Sequence, residues 1–96
     1  VPAVEAAACG TRVIGSDWAA TPDLLGGDSW AVEGQPFWDE AQSSFFKIPL
    51  IPSLIAALTE AEKHRGHSEV SVEFAKQFDA NTVWDKYWRP FLKANL

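Results

Sequence analysis

The sequence predicts an α/β fold, a partial parallel sheet with flanking helices and a helical C-terminus. Three observations carry that prediction. A helix of small residues stops at Gly10 and leads into the apolar pair Val13-Ile14. A short Thr-Pro turn and a second apolar run, Ser29 to Glu33, follow, so helix, strand, short helix and strand alternate. From Pro49 onwards apolar residues recur at helical spacing to the end of the chain. The arrangement is Rossmann-like, and it divides one domain into residues 1–34 (helix and strands), 35–49 (an aromatic loop) and 50–96 (a helical part).

The first sixteen residues, VPAVEAAACGTRVIGS, organise the rest. Pro2 suits a first helical turn, where a missing N–H costs nothing. Ala3, Ala6, Ala7 and Ala8 favour helix and let it lie close to a sheet. Gly10 can take the left-handed conformation that ends helices, and Arg12 to Gly15 read as the strand. The start of such a helix offers free N–H groups and a partial positive charge, a ready place for phosphate. Val1, Ala3 and Val4 supply that edge. Glu5 sits one turn in, where it can face a ligand held there.

Beyond the strand, Asp17 to Ala20 form a loop. Thr21 is expected to cap a single turn that has Pro22 at its first position and ends at Gly26-Gly27. The Ser29–Glu33 strand is broken by Gly34-Gln35-Pro36. Ligands of parallel sheets bind beyond the carboxyl ends of the strands, which places Ser16 and Asp17 beside anything held by the first helix. Residues 35–49 have large apolar side chains (Phe37, Trp38, Phe45, Phe46) and no clean period. The expectation is a loop folded back on the surface; the sharper alternatives are an insertion touching a partner domain and an acceptor site built on Trp38.

In the helical part, Ile51, Leu54, Ile55 and Leu58 share a face, and Gly66 ends that helix. A second helix runs from about Ser68 to Phe78 with Val70, Phe74, Ala75 and Phe78 on one side. A third spans roughly Thr82 to Lys93, with Thr82 and Asp85 as a variant capping box. Its stripe of Trp84, Tyr87, Trp88, Phe91 and Leu92 needs a large surface to cover it. Pro90 should kink or split it.

Composition narrows the function. The net charge of −5 argues against a general nucleic-acid or anionic-membrane surface. A single cysteine excludes an internal disulfide and fits a reducing, cytoplasmic compartment. No apolar run approaches the roughly 18 residues that span a membrane. No Met stands at position 1, and the chain opens inside a helix–strand unit, which reads as a piece of a larger protein. His64 and His67 flank a glycine and lack further ligands, so no metal is expected. Cys9 reads as a small core residue. Asp39 and Glu40 are adjacent and point apart, unlike a glycosidase pair. Gly26-Gly27 lacks the residues of a phosphate loop.

The run Val1-Pro2-Ala3-Val4-Glu5-Ala6-Ala7-Ala8-Cys9-Gly10-Thr11-Arg12-Val13-Ile14 resembles the donor-binding segment of the retaining GT-B glycosyltransferases of family 4 (group 1). Ser16-Asp17 and Thr21-Pro22-Asp23-Leu24-Leu25 extend the resemblance over about a third of the chain. Arg12 stands where the family usually has proline, and Asp23 where it has glutamate. The first of the family's two glutamates would precede Val1. The resemblance implies that the chain is the C-terminal part of a nucleotide-sugar-binding domain. It implies that Glu5 holds the ribose of a UDP- or GDP-linked sugar donor. The N–H groups around Val1, Ala3 and Val4 would receive the diphosphate, and no metal or other cofactor is required. Basic side chains would come from an earlier part of the same C-terminal domain, and the acceptor site and the residue facing the anomeric carbon largely from an N-terminal domain, so the catalytic residues are unknown. The family's last helices cross back to that domain, and the terminal aromatic stripe is consistent with it. Family members often act on lipid-linked acceptors, which allows peripheral membrane association of the parent. The alternatives are a non-catalytic Rossmann-like module that binds a nucleotide or scaffolds a partner, and another GT-B enzyme such as a nucleotide-sugar epimerase or a phosphorylase.

Overall fold

A computed structural model describes residues 1–96. The first helix, α1 (Pro2–Ala8), carries proline in its opening turn, and Glu5 N–H closes the first bond on the Val1 carbonyl at 3.1 Å. Gly10, at φ +81°, turns the chain out of it. Strand β1 (Ile14–Ser16) pairs in parallel with β2 (Trp30–Val32), setting Ile14 opposite Trp30 and Ser16 opposite Val32. The parallel pair with flanking helices is the α/β arrangement expected. The strand begins later than Arg12, because Val13 N–H donates to the Ser29 hydroxyl and Arg12 is drawn towards the chain beyond α2 (Ile51–Lys63).

The link between the strands is a 3-10 turn, Thr21–Leu24, capped by Ala20 with no side-chain bond. Thr21 therefore lies inside the turn rather than capping it. Ala19 at φ 54° bends the chain before it, and Thr21 N–H donates to the Trp18 carbonyl.

The expected loop at 35–49 is an antiparallel hairpin of β3 (Gly34–Asp39) and β4 (Ser44–Pro49). Phe37 faces Phe46 and Trp38 faces Phe45 across it. Large apolar residues occupy both faces, so the polar/apolar alternation that marks a half-buried strand is absent. Ala41 N–H donating to Asp39 Oδ1 at 2.9 Å and Ser43 at φ 49° set the turn.

Three helical stretches follow. α2 packs on β2, buries Ala57 and stops at Lys63, before Gly66. α3 (Glu69–Ala75) starts at Ser68, whose hydroxyl accepts from Ser71 N–H at 3.1 Å, and tightens into a 3-10 turn over Lys76–Phe78. α4 (Ala80–Val83) is capped by Asp79, which accepts from the N–H groups of Asn81 and Thr82. Asp79, not Thr82, is the capping residue, and Thr82 is already helical. A π turn, Trp84–Trp88, joins α4 to α5 (Arg89–Asn95), with Arg89 N–H bonded to the Trp84 carbonyl. Pro90 has no N–H and its ring crowds the preceding turn; the widened turn just before it absorbs that strain without ending the helix.

The interior is thin. Eight of 96 residues are buried, and the apolar ones with side chains are Ala7, Val32, Ala57 and Ala75. Cys9 is exposed instead of joining them, since the packed face of α1 is the one holding Ala7. The molecule measures 50 × 41 × 15 Å, with a radius of gyration of 16.6 Å. A compact domain of this length would have about 12.5 Å. The accessible surface is 6978 Å², against about 5,500 Å² for a folded monomer of this mass.

Candidate functional site

α1 packs on α3, with Ala7 and Ala75 buried at the contact. Small side chains on both helices permit that close approach. Beside the contact lies an open groove of about 310 Å³. Val4, Glu5 and Ala8 line it from α1, and Val72, Ala75, Lys76, Phe78 and Asp79 line it from α3 and the turn that follows. Lys76 Nζ donates to Glu73 Oε1 at 2.6 Å, and this hydrogen bond, with the charge of Glu73 behind it, raises the lysine above its ordinary value.

Glu5 is exposed on the first turn of α1. Ala3 and Val4 are half-buried beside it, and helix geometry leaves their N–H groups without an intrahelical acceptor. Val1, at 79% exposure, is the uncapped N-terminal flank. Of the four positions singled out by sequence, Val4 and Glu5 line the groove, whereas Val1 and Ala3 do not. Ser16 and Asp17 do not line the Glu5 groove. Asp17 belongs to the sheet instead: its N–H donates to the Val32 carbonyl at 2.9 Å, and its carbonyl accepts from Lys47 Nζ at 3.3 Å. Lys47 also lies 5.1 Å from the centre of the Trp18 ring, tying the hairpin to the loop after β1.

A second polar cluster was not legible in the sequence. Arg12 donates to the carbonyls of His64 at 2.6 Å and Gly66 at 3.2 Å, and pairs with Asp28 at 3.4 Å. Asp28 accepts from the Ser68 hydroxyl, and Ser68 N–H donates to the Gly10 carbonyl at 2.8 Å. One knot thus holds the end of α1, the loop before β2 and the start of α3 in fixed relation to Glu5. Its members are far apart in the chain, so no local spacing signals it. His64 contributes its carbonyl, and His67 pairs with Glu69 at 2.8 Å. No group of three or more His, Cys, Asp or Glu side chains is placed to hold a metal ion. No helix is long and apolar enough to cross a membrane.

No family model matches the sequence, and no curated protein or solved structure matches it either. The fold and the groove therefore stand on the residues themselves.

Proposed function

We propose that this chain is the C-terminal part of the donor-binding domain of a retaining GT-B glycosyltransferase. The observation that carries the reading is the unit α1–Gly10–β1, with an exposed glutamate on the first turn beside free backbone N–H groups. In this reading Glu5 accepts hydrogen bonds from the ribose hydroxyls of a UDP- or GDP-sugar. The N–H groups of Ala3 and Val4, with the chain at Val1, face the diphosphate, where the partial positive charge of the helix start favours anions. Charge grows on the departing diphosphate as the glycosidic bond breaks, so the same N–H groups stabilise the transition state as well as the ground state. α1 carries no Lys or Arg. Further positive charge comes from an earlier part of the same donor-binding domain, and the acceptor site largely from an N-terminal domain of the same protein. The lone free thiol, exposed at Cys9, supports a reducing, cytoplasmic setting.

The test is calorimetric titration of UDP, GDP and their sugar conjugates into the protein, alone and joined to its N-terminal domain, with Glu5→Ala as control. Binding of one nucleotide that Glu5→Ala weakens about tenfold or more, the scale of a lost charged hydrogen bond, together with sugar transfer by the joined protein, supports the reading. Nucleotide binding without transfer favours the non-catalytic module. Binding that ignores Glu5→Ala rejects this site.

A further inference from the structure

The helical segment from Ala80 to Asn95 ends the chain as an uncovered arm. Apart from the adjoining turn at Lys76–Phe78, it makes its substantial contacts only within itself. Trp84, Tyr87, Trp88 and Phe91 are each between 45% and 57% exposed. Tyr87, Trp88 and Phe91 alone line an open cleft of about 290 Å³. Lys86, Arg89 and Lys93 follow one another at three and four residues, so they share the face of the helix opposite the rings. Arg89 pairs with Asp85 at 3.0 Å, and all three basic residues are exposed. Charge is thus as unevenly placed as the rings. The side chains of residues 80–96 carry +2, from three Lys or Arg against one Asp, whereas those of residues 1–79 carry −7, from five Lys or Arg against twelve Asp or Glu.

We propose that this helix is an in-plane anchor for a bilayer of anionic phospholipid, its rings among the headgroups and its basic residues at the phosphates. Charge complementarity selects that occupant. An aromatic face backed by a Lys/Arg face is the pattern of a helix that lies in a membrane interface. The positive segment is drawn to a negative surface within a Debye length of about 8–10 Å, and the acidic remainder of the chain is repelled by it, so the contact is confined to the helix. The chain's other exposed apolar ridge, Ile51, Ile55 and Leu58 on α2, lacks that charge, since its helix carries Glu60 and Glu62 against Lys63. The ring types agree. Trp and Tyr settle at the boundary of bilayer and water, with an apolar body and one polar atom left wet. Lys86 Nζ stands 5.3 Å from the centre of the Tyr87 ring, so its stem runs along the apolar side while its charge stays at the level of the phosphates. The segment is about 24 Å long, short of the roughly 30 Å hydrocarbon core, and therefore lies along the surface. Such binding scales with the apolar area buried plus the attraction to anionic lipid, so four half-exposed rings give reversible attachment. The inference does not depend on the glycosyltransferase reading.

Flotation of the 96-residue chain with vesicles of phosphatidylcholine, alone or mixed with phosphatidylglycerol, tests it. The expected result is recovery with the mixed vesicles, little with phosphatidylcholine alone, and release as added salt shortens the Debye length. Trp88→Glu should weaken partition about tenfold or more, because it removes a large apolar side chain and adds repulsion. Lys86→Gln and Lys93→Gln should each weaken it about fivefold, and only on the mixed vesicles. Ile55→Glu, on the α2 ridge, should leave binding nearly unchanged, which separates this face from apolar adhesion at large. Circular dichroism in buffer should match the parent chain for every variant compared. No recovery with the mixed vesicles overturns the proposal. So does equal recovery with both kinds of vesicle, or binding that Trp88→Glu leaves intact or that Ile55→Glu abolishes. Self-association, or capture by another protein domain, with no vesicle binding overturns it equally.

Discussion

The backbone of Gly10 lies against the imidazole of His67, so close that a Cβ on Gly10 would fall 2.2 Å from His67 Nδ1. Gly10 also sits at φ +81°, where a side chain strains the backbone. Two penalties thus coincide at the exit of α1. The His67 side chain is 58% exposed and can swing aside, whereas the backbone strain has no such escape. Gly10→Ala should lose about 1–2 kcal/mol in urea unfolding, and adding His67→Ala should leave most of that loss in place.

Arg12 supplies three partners from one guanidinium, with its side chain only 20% exposed. Removing it takes a donor from two carbonyls and leaves the Asp28 carboxylate with the Ser68 hydroxyl alone. Arg12→Ala is expected to cost about 1–3 kcal/mol. Arg12→Lys should recover little, because an ammonium cannot present the planar fork that reaches all three. Thermal unfolding of the two variants side by side checks this.

Ser71 is fully buried and its hydroxyl has no hydrogen-bond partner. An unpaired buried hydroxyl is a desolvation cost without return. Ser71→Ala should leave the chain as stable or up to about 1 kcal/mol more stable, a sign opposite to the usual effect of a core substitution. Chemical denaturation reads it directly.

Lys76 titrates above its ordinary 10.5 because Glu73 stabilises the charged form. The folded state therefore holds this proton more tightly than the unfolded one. The stabilisation is fully present below 10.5 and is lost as pH rises through the folded value. Lys76→Gln should flatten the alkaline limb of the stability–pH profile and leave the profile between pH 6 and about 9 unchanged in shape.

Local signals carried much of this fold. Pro2, the alanines and Gly10 specify α1 and its end within ten residues, and Val13-Ile14 announce a strand because β-branched pairs favour it. What escaped reading depends on pairing at a distance. Nothing adjacent to Phe37 or Trp38 shows that Phe46 and Phe45 face them, so the hairpin looked like a loop. Asp79 does not stand out as the cap in the sequence because Thr82, three residues later, presents a similar signature. At the candidate site, Val4 and Glu5 are legible as neighbours because one helical turn holds them. The α3 side, with Val72 and Lys76, is not, because tertiary packing brings it there. The Arg12–Asp28–Ser68 knot escaped for the same reason.

The molecule is 15 Å through its thinnest axis, little more than one helix with its side chains. A backbone amide in such a plate is never more than a single layer from solvent. Hydrogen–deuterium exchange on the uncovered chain should therefore proceed by the separate opening of hairpin, terminal helix and sheet. Uniform slow protection would require a second layer laid across the plate.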